Sequence, residues 1–396
     1  MKSIFKYSLF AAAILAAQQV SALEITITGS TAFRSAALTA VTNLFSSTPT
    51  IAHNGTSLTG ADFATFKGTL TGIGGTSYVY CSWSGSATGV IDTANGTPVP
   101  AISSTLVEGL TQGVTTGSQT TDTTKVAQLA FSDVYKESTS AASASLTDSR
   151  VAVIPFRFVR NKGSNAGITN VTAQQVRRLW AANTVPLRLF TGVSTDTAKV
   201  IGVGRDNGSG TRITVLAETK YGIGVNVQQW KITHTGTLGS GSISTAQIWP
   251  ENDGVGSAVA GNGGYSSGSF IRDLMRQTST SVELLDEAGD SISTGNNLTV
   301  LAWLGLNDAN TAFNSGNDAV LLPYEGVPYS AAAVQQGYYT LWGYLHIYYG
   351  SLTTEQNTFR TNINTQLANS GVLGTNGIVF TSMNCSRTLD GGVVSP

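Results

Sequence analysis

The sequence predicts an α/β fold, because strand-like runs and helix-like segments alternate along a chain long enough for two domains. The chain has 396 residues, which allows two domains of ordinary size. Alternating or β-branched runs typical of strands are LEITITGS (23–30), VAVIPFRFVR (151–160) and AKVIGVGR (198–205). Helix-like segments follow such runs, so we expect strand–turn–helix units with mostly parallel sheets flanked by helices.

Composition indicates a folded, loop-rich protein. Hydrophobic residues make up 41% of the chain and charged residues 11%, and there are 44 glycines. A disordered chain would combine few apolar residues with a high net charge. The formal net charge is −1, so nothing electrostatic favours a nucleic-acid partner or an acidic membrane surface.

Residues 1–22 have the pattern of a secretory signal peptide. Lys2 and Lys6 precede a short apolar stretch, and Val20-Ser21-Ala22 forms a small-residue cleavage site. No cysteine follows this site, so we do not expect a lipid anchor. No other apolar run approaches the roughly 20 residues that cross a bilayer. We therefore expect an exported, soluble protein, periplasmic or extracellular.

Three turns rich in small residues stand where strands give way to helices. They are Gly29-Ser30-Thr31, Gly85-Ser86 and Gly208-Ser209-Gly210-Thr211. Open α/β sheets bind ligands outside the carboxyl ends of their strands. The first N–H groups of a helix lack backbone partners and attract anions. The turns together predict an anion site, whereas each one alone is equally typical of an ordinary turn.

Arg205 stands four residues before Ser209. Its planar guanidinium group matches two oxygens of a tetrahedral anion. The hydroxyls of Ser209 and Thr211 and the N–H groups of Gly210 and Thr211 add further donors. The alternative is that Ser209 or Thr211 caps a helix and that Arg205 lies on the surface.

Asp133 ends the short apolar run QLAFSD. A carboxylate repels a fully ionised anion, but it can accept a hydrogen bond from an anion that carries a proton. Protonated phosphate has such an O–H group, whereas sulfate at neutral pH does not. The alternative is that Asp133 caps a helix at the end of a strand.

Four motifs occur in order along the chain: ITITGSTAFRSA, YCSWSGSATGV, LAFSD and RDNGSGT. With the supporting stretches NDGVGSAVAGNGGY (252–265) and YYTLWGYLHIYYG (338–350), the chain resembles the periplasmic phosphate-binding proteins of ABC transporters. The resemblance covers nearly the whole chain after residue 22, apart from a Thr/Gly/Ser-rich stretch near 93–124 that we interpret as a surface insertion.

The resemblance implies a two-lobed periplasmic-binding-protein fold of type 2 with the ligand in the cleft between the lobes. Residues 23–150 and 321–396 would form lobe one, and 151–320 lobe two. It also implies a monomer that is not an enzyme, needs no cofactor, binds inorganic phosphate and delivers it to an inner-membrane ABC permease. The implied phosphate-binding residues are Thr31, Ala32, Ser86 and Asp133 from lobe one, and Arg205, Ser209, Gly210 and Thr211 from lobe two.

The sequence departs from the family pattern at two places. The family usually has Asp two residues after the arginine, where it pairs with that arginine, and this chain has Asn207 there with Asp206 beside it. The first motif also lacks the proline that usually follows Phe33, so Ser30 and Thr31 could exchange roles.

The two cysteines, Cys81 and Cys385, are expected to form a disulfide if the ends of the chain meet in an exported protein. The resemblance is consistent with this pairing because it places both in lobe one. A metal site is not expected, because two Cys and the scattered His53, His234 and His346 show no ligand spacing.

Other functions remain open at the level of sequence. The site could bind another tetrahedral oxyanion such as sulfate, or the chain could be a surface protein of this fold without a ligand. A serine hydrolase is a further alternative, because Ser266 lies in a G-x-S-x-G pattern that Asp308 or Asp318 and then His346 follow in the triad order.

Overall fold

The computed structural model describes residues 22–163, 167–251, 261–314 and 318–396. The predicted signal peptide therefore lies outside the described residues except for Ala22. Most of the supporting stretch 252–265 lies outside them as well.

The strands and helices of the described residues alternate along much of the chain. The strands are β1 (Leu23–Gly29), β2 (Thr50–His53), β3 (Phe63–Gly68), β4 (Ser77–Ser82), β5 (Pro98–Ala101), β6 (Thr115–Thr116), β7 (Thr123–Val126), β8 (Leu129–Ser132), β9 (Thr147–Arg160), β10 (Val185–Pro186), β11 (Lys199–Val203), β12 (Trp230–Thr235), β13 (Ser242–Ile248), β14 (Val282–Leu285), β15 (Ser291–Asn296), β16 (Leu298–Gly305), β17 (Val320–Leu322), β18 (Trp342–Tyr349) and β19 (Ile378–Val379). The helices are α1 (Arg34–Asn43), α2 (Ser86–Asn95), α3 (Ser104–Glu108), α4 (Ala173–Trp180), α5 (Arg188–Thr191), α6 (Gly210–Glu218), α7 (Gly268–Met275), α8 (Leu306–Phe313), α9 (Ala331–Gln335), α10 (Thr354–Leu367) and α11 (Ser370–Leu373). Within the described ranges, none of these helices combines the length and apolarity that a membrane span requires.

One large mixed sheet runs through the molecule in the order β10-β11-β16-β9-β18-β8-β1-β4-β3-β2-β6. We call the part from β18 to β6, with its helices, the first lobe. The second lobe is the part containing β10, β11 and β16, with the separate sheet β12-β13-β14-β15. Parallel pairs lie inside each lobe, where β1 pairs with β4 and β8 and β11 pairs with β16. Antiparallel strands such as β3 and β18 surround them, so the sheet is mixed.

Strand β9 connects the two lobes. Its first part, up to Pro155, pairs with β18 of the first lobe. From Phe156 to Arg160 it pairs with β16 of the second lobe. Strand β17 pairs with the same end of β9 before the chain returns to β18. The chain thus passes between the lobes within hydrogen-bonded strands.

Buried apolar side chains explain why the predicted strands form. Ile25 and Ile27 of β1 are fully buried in the first core, and Ile201 and Val203 of β11 are fully buried in the second. Helix α4 begins after Thr172, whose side chain accepts from the Gln175 N–H in a capping box.

The stretch near 93–124, which the sequence suggested was a surface insertion, contains regular secondary structure. Strand β5 pairs with β7, and β6 extends the large sheet through β2. Val107 of α3 is buried against Ala52 and Ile102. The stretch lacks an obvious apolar period because Thr and Gly are frequent, yet alternate residues of β5 are buried.

The expected disulfide is wrong, because Cys81 and Cys385 are both buried free thiols. Cys81 lies in the middle of the first sheet, between Ile27 of β1 and Ala64 of β3. Cys385 instead packs beside α9, where its Sγ lies 3.4 Å from the carbonyl oxygen of Val334. Sharing a lobe does not bring the two sulfur atoms together.

The C-terminal segment 383–396 contacts both lobes. Asp390 accepts hydrogen bonds from the Tyr135 N–H at 3.0 Å and from the Ser138 hydroxyl at 2.6 Å, both in the first lobe. Arg387 donates to Glu218 of α6 at 3.0 Å. The Lys220 ammonium group, just after α6, donates to the Gly391 carbonyl. The segment therefore links the first lobe to the carboxyl end of α6.

Candidate functional site

Four strand ends position the predicted site residues. Strands β1, β4 and β8 are parallel neighbours, so the turns after them lie at the same edge of the first lobe. These turns carry Thr31 and Ala32, Ser86, and Asp133, respectively. In the second lobe, Arg205 follows β11 and precedes the first turn of α6.

Contacts between the lobes bring these turns together. The Arg205 guanidinium donates through Nη2 to Thr31 Oγ1 at 3.0 Å. The Ala87 N–H at the start of α2 donates to the Gly208 carbonyl at 3.0 Å. A Cβ atom on Gly210 would lie 2.5 Å from Ser86 Oγ and 2.8 Å from Asp133 Cγ. Only glycine permits this approach of α6 to the first lobe.

The remaining predicted residues flank these contacts. Ser209 and Thr211 stand on either side of Gly210, and Ala32 follows Thr31. The Ala32 methyl group lies 3.4 Å from the position that a Cβ atom on Gly305 would take, where β16 ends. The structure therefore gathers the eight predicted residues at one place between the lobes.

Arg205 is held by main-chain carbonyl groups. Its Nε donates to the Tyr265 carbonyl at 2.9 Å and its Nη2 to the Ser266 carbonyl at 2.7 Å, and the residue is only 2% exposed. These bonds fix the orientation of the guanidinium group without an acid two residues later. Asn207 is therefore compatible with a buried, oriented Arg205.

Asp133 is a buried carboxyl group, 1% exposed. Burial raises its pKa, and hydrogen bonds from Ser30 and Ser86 and the charge of Arg205 act in the opposite direction. The Ser86 hydroxyl donates to Asp133 Oδ1, so its proton points at the carboxylate. Ser30 thus forms a hydrogen bond with Asp133, whereas Thr31 accepts one from Arg205. The two residues therefore have different partners.

Ser209 and Thr211 have buried hydroxyl groups without partners. Each residue is 1% exposed. Neither the Ser209 Oγ nor the Thr211 Oγ1 atom makes a hydrogen bond to any described residue. Ser209 occupies the N-cap position of α6 but its side chain makes no capping bond. Capping therefore does not account for these hydroxyls. A buried hydroxyl left unpaired costs about 1–3 kcal/mol, which a bound oxyanion would offset.

A cavity of about 390 Å³ adjoins this site between the lobes. Its lining includes Thr31, Ala32, Arg34, Arg272 and Asp308. The sequence interpretation missed Arg34 and Arg272, because neither lies in a glycine turn. Asp308 entered only as a triad candidate, although its position in the first turn of α8 was a signal that it could face a ligand.

The structure does not bring the hydrolase candidates together. Ser266 is exposed and its carbonyl group accepts from Arg205. His346 is buried in β18, with Nδ1 2.9 Å from Asp148 Oδ1. Asp318 pairs with lysine and arginine side chains. Among the described residues, no group of three or more His, Cys, Asp or Glu residues could hold a metal ion.

No family model matches the chain, and no curated protein matches it either. Among solved structures, it is similar to a Clostridium perfringens protein assigned as a phosphate ABC transporter substrate-binding protein, with bound phosphate. The identity is 11% and the TM-score 0.51, over 90% of this chain and 98% of that one. An ABC-type phosphate transport receptor from Vibrio cholerae is 14% identical, with a TM-score of 0.48, over 90% and 99% of the two chains.

The fold is therefore the two-lobed fold of periplasmic binding proteins, as the sequence predicts. The Clostridium perfringens protein with this fold has bound phosphate.

Proposed function

We propose that this chain is an exported solute-binding protein that binds inorganic phosphate between its lobes and delivers it to an inner-membrane ABC permease. The observation that carries the proposal is the pair of buried, unpartnered hydroxyls on Ser209 and Thr211 beside the oriented guanidinium group of Arg205. The two hydroxyls are donors without acceptors among the described residues, which is the complement of an oxyanion.

The second lobe supplies most of the donors. Arg205 provides the formal positive charge, and Ser209, Gly210 and Thr211 provide hydroxyl and N–H groups at the start of α6. The first lobe contributes Thr31 and Ala32 before α1 and the Ser86 N–H group at the start of α2, since the Ser86 hydroxyl donates to Asp133. Many neutral donors hold the anion in a water-excluded site, so a chain of net charge −1 can bind a dianion.

Asp133 supplies specificity for a protonated anion. Phosphate near neutral pH carries an O–H group that donates to the Asp133 carboxylate. Sulfate has no proton to donate and meets an uncompensated negative charge, which costs it affinity.

Isothermal calorimetry with phosphate and with sulfate tests this proposal. We expect the wild-type protein to bind phosphate and to discriminate against sulfate by at least about tenfold, or 1.4 kcal/mol. In Asp133→Asn the discrimination should fall, because the amide no longer repels sulfate. Asp290→Asn, an exposed residue, is the matched control.

Equal affinity for the two anions in the wild-type protein would remove the specificity argument. Binding of neither anion would refute the function itself.

Export is tested separately. We propose that the signal peptide is cleaved after Ala22, so the mature protein begins at Leu23. The mass of the protein recovered from the periplasm or medium of a bacterial host should match residues 23–396, and an uncleaved chain in the cytoplasm would contradict this.

A further inference from the structure

The cavity shares lining residues with the proposed phosphate site. Thr31 lines the cavity and also accepts from Arg205. A Cβ atom on Gly268 would lie 3.8 Å from Arg205 Nη1 and 2.4 Å from Asp308 Oδ2. Gly268 is thus next to both Arg205 and Asp308, a residue of the cavity lining. A ligand held by Arg205 can extend past it into the cavity.

The cavity does not offer a second anion site. Its two arginines already have carboxylate partners, since Arg34 pairs with Asp62 and Arg272 binds Asp273 through Nε and Nη2 at 2.7 Å each. These pairs neutralise the positive charge of the walls, so a second phosphate group would gain little there.

The cavity lining instead contains hydrogen-bond acceptors that have no donor among the described residues. Asp308 accepts no hydrogen bond from any described residue, and its nearest arginine nitrogen is 3.8 Å from Oδ1. Asn376 also lines the cavity, and its Oδ1 is buried without a partner among the described residues. The lining also includes the hydroxyl side chains of Ser35 and Ser269 and the amide side chain of Asn307. An occupant that supplies O–H donors would satisfy these acceptors.

We propose that the cavity takes the hydroxyl-bearing part of a phosphate monoester, so that the site binds small polyol phosphates as well as inorganic phosphate. This inference rests on the proposed phosphate site. The phosphoryl group binds as its singly protonated monoanion, whose O–H donates to Asp133. It lies among Arg205, Ser209 and Thr211, and the ester oxygen points toward Thr31. The polyol hydroxyls then donate to Asp308 and Asn376. The volume of about 390 Å³ exceeds the roughly 30 Å³ share of a single water molecule many times over.

The test is calorimetry of the full chain at about pH 6, where a phosphate monoester is partly singly protonated. The three probes are inorganic phosphate, glycerol 3-phosphate and glycerol. The first variant is Ser35→Phe, which fills the cavity from α1 without touching the phosphoryl donors. The second is Asp308→Ala, which removes a carboxylate acceptor. Thermal unfolding of each variant shows whether it is folded.

We expect the wild-type protein to bind glycerol 3-phosphate and phosphate but not glycerol. Ser35→Phe should lower the affinity for the ester at least tenfold and leave the affinity for phosphate within about twofold. Asp308→Ala should lower the ester affinity relative to phosphate by about tenfold to a hundredfold, the range for a lost hydrogen bond to a charged group.

Phosphate binding without ester binding, or an equal loss of both ligands in folded Ser35→Phe, would overturn the inference and leave the proposed function standing. Binding of neither ligand would overturn both. Ester binding without phosphate binding would support the inference and overturn the assignment to inorganic phosphate.

Discussion

At the scale of single residues, Ser209 and Thr211 carry hydroxyls whose burial costs stability, a cost that ligand binding offsets under the proposed function. Each places a hydroxyl in the interior with no acceptor among the described residues. Thr219, at the other end of α6, is equally buried, but its hydroxyl donates to the Val215 carbonyl at 2.8 Å. The same residue type therefore has opposite energetic roles at the two ends of one helix.

The first prediction concerns Thr211→Val, which replaces a hydroxyl by a methyl group of similar volume. Removing an unpaired hydroxyl should leave the free energy of unfolding unchanged or raise it by about 1 kcal/mol. Phosphate affinity should fall at least tenfold. Urea unfolding and calorimetry measure the two effects.

Thr219→Val is the matched control, and it should lose stability while retaining phosphate affinity. Destabilisation of Thr211→Val by as much as Thr219→Val would show that the Thr211 hydroxyl is paired.

A second prediction concerns Arg205→Lys. The ammonium group cannot reproduce bonds from Nε to Tyr265 and from Nη2 to both Ser266 and Thr31. We expect phosphate affinity to fall by about tenfold to a hundredfold, measured by calorimetry, with the positive charge retained. Arg178→Lys, at an exposed position on α4, should bind as the wild type does. Unchanged affinity in Arg205→Lys would mean that charge alone is required.

At the scale of elements, sequence patterns predicted the strands that end at the site. The strands β1, β4, β8 and β11 are apolar and mostly buried, so their residues show the pattern of the core. Strand β15, with the sequence SISTGN, is mostly exposed and no such pattern identifies it. Short polar elements at 93–124 were missed for the same reason.

The C-terminal segment supports a third prediction, on pH. Burial raises the pKa of Asp390 to about 6 from an ordinary value of 3.8, with hydrogen bonds and the charges of His346 and Arg387 acting in the opposite direction. Between these values the folded protein holds a proton that the unfolded chain has released. The free energy of unfolding contributed by Asp390 therefore falls as pH rises through this window, by about 3 kcal/mol in total.

Asp390→Asn should flatten this dependence, which urea unfolding at several pH values between about 4 and 6.5 measures. The exposed Glu287→Gln should keep the wild-type slope. An unchanged slope in Asp390→Asn would exclude Asp390 as its source.

At the scale of the whole molecule, the sequence predicted turns that the fold brings together, but not what surrounds them. Arg34 and Asp308 belong to different lobes and meet at the cavity only because the lobes are in contact. The carbonyl groups that orient Arg205 belong to residues 265–266, whose side chains carry no signal for this role. Main-chain contacts across a cleft depend on the complete fold, which periodicity in one segment does not specify.

The free thiols give a fourth prediction. Both cysteines are buried, and burial raises the pKa of each. A thiol reagent should modify neither in the native protein, because a buried thiol forms little thiolate. Both should react after denaturation without prior reduction. Absence of reactive thiols in the denatured, unreduced protein would instead demonstrate a disulfide.

The segment 383–396 has a consequence for ligand release. Its bonds to Glu218 and Lys220 hold the carboxyl end of α6 against the first lobe, and the other end of α6 carries the proposed anion donors. Contacts made only when the lobes are together raise the ratio of closed to open molecules about tenfold for each 1.4 kcal/mol. A tighter closed state also lengthens the residence time of the ligand. A partner that separates this segment from α6 would thus accelerate unloading without touching the ligand.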